Sequence, residues 1–127
     1  MNTRFRSLSF LCALAFVAWM AGSTQSALAS DFAIGSYSSG PYTLIFGAHG
    51  DFRVVKSGYA LVGGEYSVNG AQLRLTDKRG PSACTGEGHV TGTYSWKLEG
   101  TMLKLSKVED QCADRSKSFD ATSWKKE

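Results

Sequence analysis

The chain has 127 residues and a formal net charge of +3 at pH 7. That length makes one domain with a modest core. So small a surplus of cations gives no electrostatic footprint for nucleic acid or an anionic membrane.

Residues 1–29 read as a secretory signal. Arg4 and Arg6 make a basic start, an apolar run follows from Leu8 to Met20, and Ala27-Leu28-Ala29 is a small-x-small cleavage site. The apolar run is shorter than the roughly 20 residues a spanning helix needs. Cys12 sits early in that run with no small residue just before it, so no lipid anchor or other stable membrane attachment is expected. Cleavage after Ala29 would leave a domain of residues 30–127, in the periplasm or secreted, with both arginines of the leader gone and the remainder close to neutral.

The mature chain then reads as a succession of short strands. A first strand covers Phe32 to Tyr37, and Tyr42, Leu44 and Phe46 alternate in a second. Gly47-Ala48-His49-Gly50 forms a hairpin loop into Phe52 and Val54. After the Lys56-Ser57-Gly58 turn, one long strand runs through Tyr59, Leu61, Tyr66 and Val68, with Gly63-Gly64 marking a bulge or bend that lets the sheet curl. Asn69-Gly70 is the strongest hairpin signal, read as the central pair of a type I′ turn, and Leu73 and Leu75 follow on the inward face. The stretch from Asp77 to His89 is rich in Gly, Ser and charge and reads as a long surface loop.

The clearest strand comes next: Val90, Gly92, Tyr94, Trp96 and Leu98 alternate with Thr91, Thr93, Ser95, Lys97 and Glu99, the pattern of a sheet with one buried and one wetted face. Glu99-Gly100 turns the chain into a strand carrying Leu103 and Leu105. Residues 110–116 read as a tight connection, and 117–124 as a closing strand with Phe119 and Ala121 on one face. No amphipathic helix is expected in the mature chain. Gly64-Glu65-Tyr66-Ser67 is echoed by Gly92-Thr93-Tyr94-Ser95, which we read as two hairpins of one geometry, since a repeat array needs at least three copies.

About eight antiparallel strands joined by tight turns predict an all-β, up-and-down barrel, whose closure removes exposed edges. Export leaves Cys84 and Cys112 as the only mature cysteines, so one structural disulfide is expected, closing a loop and stabilising the fold by about 3.5 kcal/mol. A redox or metal pair is the weaker alternative, because there is no CxxC and only His49 and His89 could join it.

Several pieces carry a resemblance: Gly64-x-Tyr66-x-Val68-x-Gly70, Gly80-Pro81-x-Ala83-Cys84, Gly92-x-Tyr94-x-Trp96 and Asp110-x-Cys112-x-x-Arg115. The pattern resembles that of small exported bacterial lipocalin-like, or calycin-like, β-barrel proteins over residues 42–124. The resemblance implies a barrel, with no activity and no cofactor attached to it.

Functional chemistry is sparse. The acids lie mostly at turns or in wet-side slots, no pair of them is marked out for acid and base work, and no nucleophile elbow or phosphate loop is present, so an enzyme is not expected. The aromatic set, which includes Tyr59, Phe119 and Trp124, either fills the barrel or lines a pocket. Candidate ligand-binding residues are Tyr42, Phe46, Tyr66, Tyr94, Trp96 and Arg115. Arg115 has two readings: a cation for an acidic head group at the barrel mouth, or a structural guanidinium that pairs with Asp110 or another acid and stacks on Trp96 or Trp124. The leading expectation is a non-enzymatic barrel that binds a small apolar or amphipathic molecule. The alternative is a protein-binding or hydrolase-inhibiting module that acts through the loop 78–88.

Overall fold

The computed structural model describes residues 32–127, and the signal reading of residues 1–29 lies outside them. Eight strands follow in order: β1 (Gly35–Ser39), β2 (Tyr42–Phe46), β3 (Asp51–Lys56), β4 (Tyr59–Asn69), β5 (Gln72–Arg79), β6 (Thr91–Glu99), β7 (Met102–Asp110) and, after a short helix α1 (Ala113–Phe119), β8 (Thr122–Lys126). Each pairs antiparallel with the next, and β8 returns to β1, giving a closed all-β barrel of up-and-down connectivity. Closure satisfies both edges of the sheet and leaves one inside face.

That inside face is what the alternation encodes. Tyr37, Leu44, Phe46, Phe52, Leu73, Leu75, Tyr94, Leu103, Leu105 and Trp124 are buried, while their neighbours Arg53, Arg74 and Lys104 are exposed. The register slips at Gly63/Gly64, where a bulge was expected, and also at Val54/Val55 and Thr93/Tyr94. Extra residues at these points bend the strands and raise the twist a small barrel requires.

Four expectations need correction. The β4–β5 turn is centred on Gly70 and Ala71, with Asn69 paired to Gln72, and only Gly70 has positive φ, at 58°. One positive φ at the first central position is the type II′ pattern, which explains why glycine leads the turn. Tyr59 lies outside the core at 77% exposure, next to the tight Ser57-Gly58 turn. Residues 113–119 form α1, so Phe119 ends a helix and Ala121, at φ 54°, turns the chain into β8. Arg115 and Phe119 are its buried residues, four apart on one face, with Asp114 in the first turn and Lys117 in the last, where they complement the helix dipole. Asp77 and Asp110 occupy no wet-side slot: their side chains are buried, for the reason given next.

Candidate ligand-binding recess

The two ends of the barrel are closed differently. At the end bearing the turns 47–50, 70–71 and 100–101, Phe32 enters between Phe46, Tyr66 and Trp96, with ring centroids 4.8, 5.3 and 5.1 Å away. The polar tips of these aromatics are turned to backbone: Tyr66 donates to the Gly47 carbonyl at 2.6 Å and Trp96 Nε1 to the Gly70 carbonyl at 2.9 Å. Edge-on rings with satisfied donors make a solid plug.

The other end bears the turns 40–41 and 57–58, the loop 80–90 and α1. Here Arg115 is carried inward by α1 with its side chain 3% exposed, between the buried carboxylates of Asp110 on β7 and Asp77 on β5. Its guanidinium forks onto Asp110, Nε to Oδ2 and Nη2 to Oδ1, both at 2.7 Å. Nη2 also donates to the His89 carbonyl at 2.8 Å and Nη1 to that of Val90 at 3.1 Å, while Nη1 lies 3.2 Å from Asp77 Oδ2. The Tyr94 hydroxyl donates to Asp110 Oδ2. Bidentate geometry and full hydrogen bonding are the conditions under which a buried guanidinium and carboxylate are tolerated.

Gly92 makes room for this network. A Cβ there would come within 2.9 Å of Arg115 Nε and would collide with the Asp110 carboxylate. The Cys84–Cys112 disulfide, with Cα atoms 6.2 Å apart, joins the loop 80–90 to the residue just before α1. Both half-cystines are tied to the same carboxylates, since Cys84 N–H donates to Asp77 Oδ2 at 2.8 Å and Cys112 N–H to Asp110 Oδ1 at 2.9 Å. Covalent and ionic latches thus converge on one corner.

These contacts set the titration behaviour. Burial alone would raise the Asp110 carboxyl, but the Arg115 fork, the Tyr94 hydroxyl and the Cys112 amide together hold it below the ordinary carboxylate range. The Tyr94 phenol is pushed far up, first by burial and then by the hydrogen bond to Asp110. Arg115 is raised despite burial, because Asp110 and Asp77 both favour its charge.

Beside this corner lies a half-open recess of about 730 Å³, bounded by the β1–β2 turn, β3, β4, Pro81-Ser82 and α1. Its wall is formed by Tyr42, Phe52, Val54, Phe119 and Trp124, with Asp77 and Arg115 also on its lining. Two of the lining residues each carry a buried polar atom with no hydrogen-bond partner among the described residues, Asp77 Oδ1 and Trp124 Nε1.

Of the six candidate binding residues, Tyr42 and Arg115 reach the recess. Tyr94 stands behind it as a donor to Asp110, and Phe46, Tyr66 and Trp96 belong to the opposite plug. The sequence reading missed Asp77, Phe52 and Trp124 as a group with Tyr42. The inward alternation Leu73, Leu75, Asp77 was the available signal, since it carries an acid into the barrel. Among the described residues, no three His, Cys, Asp or Glu side chains gather as a metal set.

A closed eight-stranded antiparallel barrel with one disulfide and a recess at one mouth is an architecture compatible with the calycin-like fold. In comparisons with known proteins, no family model, no curated protein and no solved structure matches the chain.

Proposed function

We propose that the protein is an exported, non-enzymatic, lipocalin-like barrel that holds a small amphipathic molecule in the recess beside α1. The observation that carries this reading is a half-open recess with an aromatic and aliphatic wall, Tyr42, Phe52, Val54, Phe119 and Trp124, and the polar side chains of Asp77 and Arg115 on its lining. The volume falls within the roughly 300–1,000 Å³ common for small-molecule sites. The disulfide supports an oxidising compartment. Charged residues on the outer face, such as Arg53, Glu65, Arg74 and Lys104, are the reverse of a lipid-facing band.

Ser39, the last residue of β1, lines the recess and shares the inward side of its strand with Tyr37. Ser39→Trp should fill the space. Titration of 1-decanol against the protein, followed by tryptophan fluorescence or calorimetry, should show saturable binding that this variant weakens about tenfold or more. Binding that is absent, or that is indifferent to the substitution while the fold is intact, would overturn the reading.

A second reading is a protein-binding or hydrolase-inhibiting module. It draws on the loop 80–90, which is exposed from Thr85 to Val90 yet stapled at Cys84 and held at Ser82 by a 3.0 Å bond to the Leu61 carbonyl. Loops held on a rigid frame commonly carry recognition. Native mass spectrometry of the protein recovered from the culture medium or periplasm separates the two, by the mass of a small molecule or of a partner protein.

A further inference from the structure

Two walls of the recess are joined by one covalent bond. Pro81-Ser82 stands just before Cys84, α1 begins directly after Cys112, and the Cys84–Cys112 disulfide ties these two pieces of chain together. Both pieces need the tie. A helix of seven residues is well below the length of about 12–15 at which an isolated helix becomes even marginal, so α1 persists only through its attachments. These are the Cys112 bridge at its start, the Arg115 fork on Asp110 in its middle, and buried Phe119 at its end, next to Asp120, whose Oδ1 accepts from the Lys107 amide. The facing loop is exposed from Thr85 to Val90. It is held by Ser82 N–H on the Leu61 carbonyl, by Cys84 N–H on Asp77, and by Arg115 on the His89 and Val90 carbonyls. Of these attachments only the disulfide answers to a reductant.

The bond is also within reach. It lines a second, more open hollow of about 430 Å³, shared with Thr85, His89 and Gln111, and Cys84 is the more exposed of its two half-cystines. Attack by a thiolate on Cys84 Sγ forms a mixed disulfide, and Cys112 leaves as a thiolate that takes up a proton. The second thiol of the same reductant then displaces Cys84, which is protonated in turn. Two electrons and two protons pass to the protein, and the reductant departs as a disulfide.

We propose that the Cys84–Cys112 bond is a redox-operated clasp on the recess, opened by a dithiol reductant, an inference that rests on the reading of the recess as a binding site. Oxidised, the clasp holds α1 and Pro81-Ser82 around the occupant. Reduced, it lets both open locally while the sheet, whose eight strands close on one another without it, stays formed. Affinity for the closed state falls by the fraction of molecules still closed, so a reduced protein closed about one time in ten binds about tenfold more weakly. By linkage, the occupant protects the bond.

The test uses 1-decanol as the ligand probe and dithiothreitol as the dithiol. At pH 7, decanol is expected to bind the reduced protein about tenfold more weakly than the oxidised one, while circular dichroism shows the barrel retained. The double variant Cys84→Ser, Cys112→Ser should bind as the reduced protein does, with no reductant present. In dithiothreitol redox buffers, decanol in excess of both dissociation constants should make the midpoint about 30 mV more negative, the equivalent of tenfold for a two-electron couple. Equal affinity in the oxidised and reduced proteins, with the barrel intact, makes the bond a plain staple: the clasp fails and the recess reading survives. A bond that dithiothreitol opens only as the whole barrel unfolds overturns the clasp as well. If decanol fails to bind the oxidised protein, both readings fall together.

Discussion

The two mouths of this barrel solve one problem with opposite chemistry. At one, Phe32 seals a ring of aromatics whose polar tips reach only nearby backbone. At the other, a guanidinium, two carboxylates, a phenol and a disulfide hold a helix and a loop beside an open recess. Packing without leftover polarity makes a lid. A polar network that spends its bonds on one corner leaves a half-open recess beside it.

The comparison is broken most severely by removing the centre of the polar end. Arg115→Ala would leave Asp110 and Asp77 buried without their counter-charge, at a cost of about 3–5 kcal/mol. For a domain of this size the melting temperature should fall by roughly 15 °C or more. A loss below about 4 °C in a thermal melt would mean that this corner is not what holds α1 to the barrel. Next in size is the covalent latch. Replacing Cys84 and Cys112 together by serine opens a cross-link spanning 28 positions and should cost about 3.5 kcal/mol. The amides of both residues would still face their carboxylates, so the variant should remain folded at 25 °C, with lower stability by chemical denaturation.

The barrel was legible because its inward residues are apolar and its outward ones are not. Leu73 and Leu75 against Arg74, or Leu103 and Leu105 against Lys104, announce strands by their period alone. The helix was not legible, because α1 is seven residues long and its inward pair is Arg115 and Phe119. Hydropathy counts the arginine as outward, so only one inward residue remained and no helical period could show. The polar corner was half visible: Asp110 and Arg115 stand close in sequence and could be paired on paper, whereas Asp77 arrives from 38 positions away through strand pairing. The recess has the same origin. Tyr42, Phe52, Asp77 and Trp124 come from four strands, and only closure of β8 onto β1 sets them around one space.

A finer cut at the polar end is Tyr94→Phe. It removes one donor from Asp110 Oδ2, which keeps Arg115 Nε at 2.7 Å, so the cost should be about 1–2 kcal/mol. The variant should also alter acid sensitivity. Because the folded Asp110 carboxyl lies below its unfolded value of about 3.9, its contribution is present above that pH and is lost as the pH falls through the folded value. Without the Tyr94 hydroxyl the folded value moves back toward the unfolded one. The stability lost between pH 4 and the acid limit should therefore be smaller in the variant, as denaturant titrations at stepped pH would show. An unchanged acid limb would assign it to other carboxylates.

The smallest effect belongs to the other mouth. Trp96→Phe keeps a ring against Phe32, trims the half-exposed indole to a single ring and removes the N–H that donates to the Gly70 carbonyl, a bond at the exposed rim. Water can replace that donor at the Gly70 carbonyl, so the loss should be no more than about 1 kcal/mol, read as a melting temperature lower by a few degrees. The recess lies at the far end of the barrel, so binding of 1-decanol should be the same in the variant and the parent. A large loss of stability would show that the aromatic lid depends on directed polar bonds as the opposite corner does. A loss of binding with the fold intact would mean that the two mouths communicate through the core, and the division of labour between them would not hold.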